Sequence, residues 1–419
     1  MISWRARGQT RRRRKEATTI SRRRHGGTIA FSITVSVLLS AHVWPRPADG
    51  HEASWDTQRE AALWPEPTSH PDVGVATPDV RPGYRGGIVF RWDNGDADNE
   101  VLHHGDGGAI YCSGDLIGRA LYDRHYAARV DGGAVVPRDA DTRILEALTV
   151  ANSFSVEATV VSRAQAASGP GSIVSFSAGD APTSFALGQD GRALVFHLRT
   201  RQMGAAATRT PIVDIPAGVA THVVVTYRPG ALVAYVAGRR VLSTDKVRGG
   251  LSNWSHGRLM FGDTWGGGYD WRGTLEGVVI YDRVLSEEMA RGRAAESATR
   301  TRDRVPAPRA IVRAKVVEAS PVPAADRLRE YPRALVVHAY EVTELLSGDM
   351  ATDRILVARW AYLDRRPLAS PYAMEPGRIH RLKIEAFEEH PQLDGERLFH
   401  EVEDFDSPMY YDVGGPPWP

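Results

Sequence analysis

Between residues 154 and 281 the chain repeats one pattern: short runs of alternating apolar and polar residues, each closed by a turn that often contains glycine. Residues 154–161 (FSVEATVV) alternate strictly, and 172–177 (SIVSFS), 184–188 (SFALG), 193–199 (ALVFHLR), 221–227 (THVVVTY), 231–236 (ALVAYV) and 239–243 (RRVLS) are further short strand-like runs. Alternation sends successive side chains to opposite faces of a strand, so one face of each run can be buried. The breaks are turn formers: QDG at 189–191, RPG at 228–230 and AG at 237–238. Asp-Gly between alternating runs is a strong hairpin signal. Many short strands so spaced predict an antiparallel sandwich with no helix of normal length among them. An earlier run, 88–92 (IVFRW), fits a first strand and leads into the polar turn 93–99.

Residues 258–261 (RLMF) and 273–281 (GTLEGVVIY) read as the last two strands, joined by a loop of Gly, Trp, Tyr and Asp. A short helix is expected to open at Ser286, where serine can cap and Glu287 and Glu288 favour the positive helix end. The order of SFSVEATV, GSIVSFSAG, FALGQDGRALVFHLRT, THVVVTYRPGALVAYVAGRRV and LMFGD…WRGTLEGVVIYDRVLSEEM resembles the laminin-G-like family over about residues 85–295. That resemblance implies an all-β fold, an antiparallel jelly-roll sandwich of the concanavalin A type. Such domains mostly bind glycans or proteins, and a minority are glycosidases.

The flanking segments differ in character. The first 25 residues carry ten Arg and Lys against one acid, Glu16, and precede an uncharged run at 28–43. A basic segment before a short apolar core is the layout of an export signal. Residues 1–50 are therefore expected to be a cleaved signal or a membrane anchor, the chain's one membrane contact, in an exported protein. Without the first 25 residues the chain holds 42 Lys and Arg against 50 Asp and Glu, which disfavours nucleic acid as a partner. Residues 51–84 are rich in Pro, Asp, Glu, Ser and Thr and read as a disordered linker. A second linker is expected at 296–309. Residues 310–412 contain four good strands, 311–317, 334–342, 354–360 and 379–387, and a fifth near 398–402. Five strands in that length suggest a small C-terminal β-barrel of an OB-like kind. Residues 413–419 read as a loose tail.

The loop between the last two strands holds the candidate ligand site: Asp263, Trp265, Tyr269, Asp270 and Trp271, with Asn253 and Trp254 upstream. Indole and phenol faces pack against the apolar C–H faces of sugars, and carboxylates accept from sugar hydroxyls. Relatives of the resembled family often bind calcium near the sandwich edge. Here Asp263, Asp270 and Glu276 are the candidate ligands for Ca2+, with the aspartates of the 93–98 turn as further donors if first and last strands pair.

Catalytic signatures are sparse. The sandwich region lacks the E-x-D-x-x-E pattern that gives concanavalin A-type glycosidases two carboxylates on one face, and Glu157 stands alone on its strand. There is no G-x-S-x-G elbow, phosphate-cradling loop or H-E-x-x-H helix. His103, His104, Asp106 and Cys112 read as a solvated loop, and the lone cysteine allows no intramolecular disulfide. Arg313, Lys315, Arg381 and Lys383 alternate on strands of the tail domain, a row suited either to solvent or to an acidic polymer. The reading that results is a non-catalytic, lectin-like protein of the cell envelope that recognises a polysaccharide at the sandwich rim. Its competitors are an adhesion or assembly module with an envelope protein partner, and a glycoside hydrolase with a non-standard site.

Overall fold

The computed structural model describes residues 87–93, 114–163, 170–179, 183–204, 207–368 and 374–414. Two antiparallel sheets face each other. The first runs β13 (Arg239–Thr244), β12 (Ala231–Val236), β11 (Ala220–Arg228), β6 (Phe154–Ser162), β15 (Arg272–Tyr281), β4 (Ala128–Asp131) and β3 (Leu121–Tyr122), with β1 (Ile88–Asp93) also paired to β15. The second runs β10 (Thr208–Asp214), β9 (Ala193–Leu198), β8 (Phe185–Asp190), β7 (Gly171–Ser177), β14 (Arg258–Phe261), β5 (Gly133–Pro137) and β2 (Gly114–Gly118). First and last strands do pair, with Asp93 opposite Gly277. The last two strands lie in opposite sheets, so the loop 262–271 crosses one end of the sandwich.

The alternation works as expected. Phe154, Val156, Ala158 and Val160 of β6 enter the core between the sheets, where they meet Phe176, Phe185, Phe196 and Phe261. Ala237 and Gly238 both adopt positive φ, 48° and 74°, which closes the β12–β13 hairpin. At Gly132–Gly133 the chain passes from one sheet to the other; Gly132 has φ 86°, and a Cβ on Gly133 would lie 2.2 Å from the Ile117 carbonyl.

Among the described residues, one helix is not foreseen from the sequence, and the helix expected at Ser286 is longer than expected. α1 (Asp141–Ala151) buries Ile144 and Leu148, one turn apart, in the sandwich core and ends at Asn152 in the left-handed region. α2 (Glu287–Arg302) starts where Ser286 accepts a hydrogen bond from the Met289 N–H. It runs further than a short helix, through the first part of the segment expected as linker. Its buried face is small, Ala290, Ala294 and Ser297, which lets it pack against β11, β12 and β13 on the outer face of the first sheet.

The C-terminal strands close a five-stranded ring: β16 (Arg309–Ala319), β17 (Ala334–Ser347), β18 (Arg354–Leu363), β22 (Met409–Asp412), β20 (Ile379–Ala386) and back to β16. The β18–β22 pair is parallel and the other pairs in the ring are antiparallel, an OB-like arrangement. The closing strand is 409–412. The run expected near 398–402 instead contributes β21 (Arg397–Phe399), a short parallel addition to β17, while β19 (Arg366–Pro367) lies beside β18. Arg124, from the β3–β4 turn, donates to the Glu389 carboxylate at 2.6 Å and to the Val305 carbonyl at 2.9 Å. The Gly118 N–H donates to Asp364 at 3.1 Å, so sandwich and barrel are in direct contact.

Candidate functional site at the sandwich rim

The loop 262–271 is stapled to the outer side of β7. Ser175 Oγ donates to the Asp263 carbonyl at 2.8 Å, and the Trp265 N–H donates to Ser177 Oγ at 2.9 Å. The Ser172 N–H donates to the Tyr269 carbonyl, also at 2.8 Å. Asp263 organises the loop from within. Its Oδ1 accepts the N–H groups of Thr264 at 2.7 Å and Tyr269 at 2.9 Å. Its side chain is buried, and burial together with the nearby Asp270 carboxylate pushes its pKa up to about 7, against the pull of those two N–H donors.

The sequence candidates separate into surface and core. Asp270 is exposed, and Trp265 and Tyr269 are half-buried. Trp265 rests on the apolar outer patch of Ile117, Ala134, Val136 and Met260, with the Arg258 guanidinium 4.9 Å from its ring centroid. Trp271 and Trp254, expected at the rim, are core residues at 3% and 7% exposure. They close opposite ends of the sandwich. Trp271 Nε1 donates to Gln189 Oε1 at 2.8 Å, whereas Trp254 packs on Phe154 and Phe185 and donates to the Arg199 carbonyl at 2.7 Å. Neither face is available to stack on a ligand. Asn253 is half-buried beside Trp254, away from the 263–271 loop.

Residues outside the sequence expectation complete this end of the fold. Asp131, at the end of β4, is buried and ion-paired with Arg272, whose Nε lies 3.3 Å away, and with Arg163, whose Nη1 lies 3.6 Å away. The Arg163 N–H donates to the Arg272 carbonyl at 3.2 Å. Arg119, in the turn after β2, lies over Gly132, where a Cβ would come within 2.8 Å of its Nη2. Arg119 and Arg272 thus lie near the Asp270 carboxylate, and Arg163 and Arg272 near Asp131. Only Arg272 adjoins the candidate loop in sequence; the other positions are brought in by strand pairing.

Residues 131–290 match a laminin-G profile described as the concanavalin A-like lectin/glucanases superfamily. This segment is a concanavalin A-like lectin/glucanase domain. A search of curated protein sequences finds no match. Among solved structures, domain 4 of AbnA, a GH43 extracellular arabinanase from Geobacillus stearothermophilus in complex with arabinotriose, is 16% identical with a TM-score of 0.37, over 50% of this chain and 99% of that one. The Ruminococcus gnavus IT-sialidase CBM40 bound to α2,3 sialyllactose is 16% identical with a TM-score of 0.34, over 43% and 96%. A mutant of Trypanosoma rangeli sialidase displaying trans-sialidase activity is 19% identical with a TM-score of 0.35, over 44% of this chain and 30% of that one. The chain therefore spans less than a third of that sialidase's length.

The lectin-like domain does not assemble the calcium set expected from its sequence. Glu276 sits on the outer face of the first sheet, neutralised by Arg304 Nη1 at 2.9 Å, while Asp263 and Asp270 belong to the loop on the other side of the crossing. Among the described residues, no group of three or more His, Cys, Asp or Glu side chains converges on a point a metal ion could occupy. Asp96, Asp98, His103, His104, Asp106 and Cys112 lie outside the described residues.

Glu157 is the hub of a buried network beneath α2. Its carboxylate meets Tyr281 OH at 2.7 Å, His222 Nε2 at 3.2 Å and Arg293 Nε at 3.0 Å. Burial pushes this carboxyl up, but the His222 and Arg293 contacts outweigh it and hold its pKa at about 2. In the barrel, Arg313 pairs with Glu344 at 2.8 Å and Lys315 with Glu341, so cross-strand acids neutralise the half of the basic row that lies on β16.

Proposed function

We propose that the sandwich is a non-catalytic carbohydrate-binding domain and that its contact surface is the 263–271 loop. The observation that carries this reading is the loop's geometry. Backbone N–H bonds to a buried carboxylate fix its shape, and Trp265, Tyr269 and Asp270 are held at the surface of a superfamily domain whose description names lectins. Preformed loops lose little conformational entropy on binding. A half-exposed indole, a half-exposed phenol and an exposed carboxylate suit a shallow contact with a polysaccharide, weak per site and raised by multivalency.

The acidic residues support binding over hydrolysis. A glycosidase needs two carboxyls flanking the scissile bond, one of them protonated. Asp263 has the raised pKa of a general acid, but the burial that raises it also keeps it from substrate. Glu157 is covered by α2 and ion-paired, and Asp131 is buried beneath two arginines. The basic leader and apolar run of the first 43 residues suit export to the cell envelope, where polysaccharides are found. A glycan array tests binding, and a reducing-end assay on the glycans retained tests the absence of turnover. Sustained release of new ends would replace this reading with a hydrolase.

A further inference from the structure

Alternation turns His338 and Tyr340 of β17, Arg359 of β18, His380 of β20 and Asp412 of β22 to the interior of the barrel, on the faces that carry the core residues Val357, Leu382 and Tyr410. His338 and His380 are 2% and 6% exposed. Each ring meets the buried Tyr340 ring edge-on, with centroids 6.5 and 6.2 Å apart. The Tyr340 hydroxyl donates to Met374 Sδ at 3.3 Å, and Arg359 Nη1 donates to the same sulfur at 3.7 Å. Arg359 Nε lies 3.0 Å from Asp412 Oδ2, and Asp412 Oδ1 accepts the Gly414 N–H, also at 3.0 Å. Both oxygens of the carboxylate in this group are thus engaged. β16 lines the rest of the interior with Ala310, Val312, Ala314 and Val316. A proton added to His338 would meet Arg359 and His380, with Asp412 already paired.

The interior therefore resists protonation. Burial, the Arg359 guanidinium and the other ring push His338 down to about 4 from its ordinary 6.5. Burial, Arg359 and Arg378, in the turn before β20, push His380 down as well. The unfolded chain takes up these protons near pH 6.5, so it binds more protons than the folded barrel from there down to about pH 4. Stability contributed by the neutral rings is complete above that window and is lost as pH falls through it. Glu396, which burial pushes up, opposes this, so the barrel sets one raised carboxyl against two lowered histidines. In the sandwich His197 is pushed down to about 3, but Asp263, pushed up to about 7, gains over the same range. Loss at Glu157 begins only below pH 4.5. The strands that hold the histidine cluster also hold the sandwich. Asp364, which accepts the Gly118 N–H, follows β18, and Glu389, which pairs with Arg124, follows β20. His125 beside Arg124 is lowered too, chiefly by burial, so acid weakens the docking edge in the same direction.

We infer that the barrel is an acid-released module: acidification opens it through its interior histidines and undocks it from a sandwich that stays folded. Hydrogen exchange followed by mass spectrometry on the whole protein tests this, with rates corrected for the intrinsic effect of pH. Between pH 6.5 and 4.5, protection of β17, β18 and β20 should fall about tenfold or more per pH unit. Protection of β6, β11 and β15 should hold. The docking segment from Gly118 to Arg124 should lose protection together with the barrel. His338→Gln should flatten the fall in the barrel, and His338→Gln/His380→Gln should flatten it further. His400→Gln, whose ring stacks on the exposed Phe405 outside the interior, should keep the wild-type slope. Wild type alone decides the order of opening, so the inference stays testable if an interior variant fails to fold. Constant barrel protection across the window, or barrel and sandwich opening together, overturns it. So does a docking segment that stays protected after the barrel has opened, or a folded His338→Gln/His380→Gln variant that keeps the wild-type slope.

Discussion

Arg293 on α2 places its Nε 3.1 and 3.0 Å from the two oxygens of Glu157, a residue on the strand at the heart of the first sheet. The pair joins a polar helix to a sheet face that would otherwise be solvated. Thr159 Oγ1 and Ser297 Oγ meet at 2.8 Å and Glu276 meets Arg304 at 2.9 Å along the same line. Removing one partner of a buried ion pair leaves the other charge uncompensated.

Arg293→Ala is therefore expected to destabilise the sandwich by about 3–5 kcal/mol, read from urea denaturation. The pH dependence has a definite sign. Glu157 has a folded pKa of about 2, below its ordinary 4.5. Its stabilisation is complete above pH 4.5 and is lost as pH falls toward 2, at about 1.4 kcal/mol per pH unit. Arg293→Ala should flatten that acid limb. An unchanged limb would show that the pair is not what holds the carboxylate ionised.

Trp271 and Tyr269 are two positions apart and should respond in opposite ways. Trp271→Ala empties a core site and strands Gln189, and should cost about 3–5 kcal/mol in denaturant midpoint analysis. Tyr269→Ala should cost less than about 1 kcal/mol, because the loop is held by the Tyr269 backbone and not its ring. Similar losses at both positions would contradict the division into core and rim.

That division was partly legible in the sequence. Gly273 and Leu275 face inward on β15, and carrying the alternation back two residues puts Trp271 inward and Asp270 outward. Gly273 lacks a side chain for a reason: its Cβ would lie 2.3 Å from the Trp271 ring. Read as an aromatic loop, this stretch concealed that parity. Trp254 offers no such clue, since it precedes β14 in an irregular segment and is buried by distant phenylalanines. The sandwich itself was readable because its strands are short apolar-rich runs, strictly alternating at 154–161, that are closed by turn residues. α1 was not, since only Ile144 and Leu148 mark its buried face, nor was the roof over Glu157, because α2 packs through alanines and a serine. The Asp131 cluster depends on strand pairing between segments more than 100 residues apart, which no local pattern encodes. The closing strand of the barrel is only four residues long, too short to alternate visibly.

Asp263 gives a second pH signature, opposite to that of Glu157. Its folded pKa of about 7 lies above the ordinary 3.8, so the folded state holds the proton longer than the unfolded one. The contribution is complete below about pH 4 and is lost as pH rises through 7. Asp263→Asn keeps an oxygen acceptor for the Thr264 and Tyr269 N–H groups but carries no charge. Its unfolding free energy relative to wild type should climb between pH 4 and 7, at about 1.4 kcal/mol per pH unit, and level off above. Parallel curves across that range would mean the carboxyl titrates normally.

Retention of wild type and of Trp265→Ala/Tyr269→Ala on one polysaccharide panel is the most direct test of the central claim. Both substitutions lie at the half-buried rim and leave the backbone bonds of Asp263 in place. Wild type should be retained by at least one glycan, and the variant, folded by melting temperature, should bind it about tenfold more weakly or worse. Wild type and variant passing through every glycan alike, or held alike, would contradict a carbohydrate site at this loop.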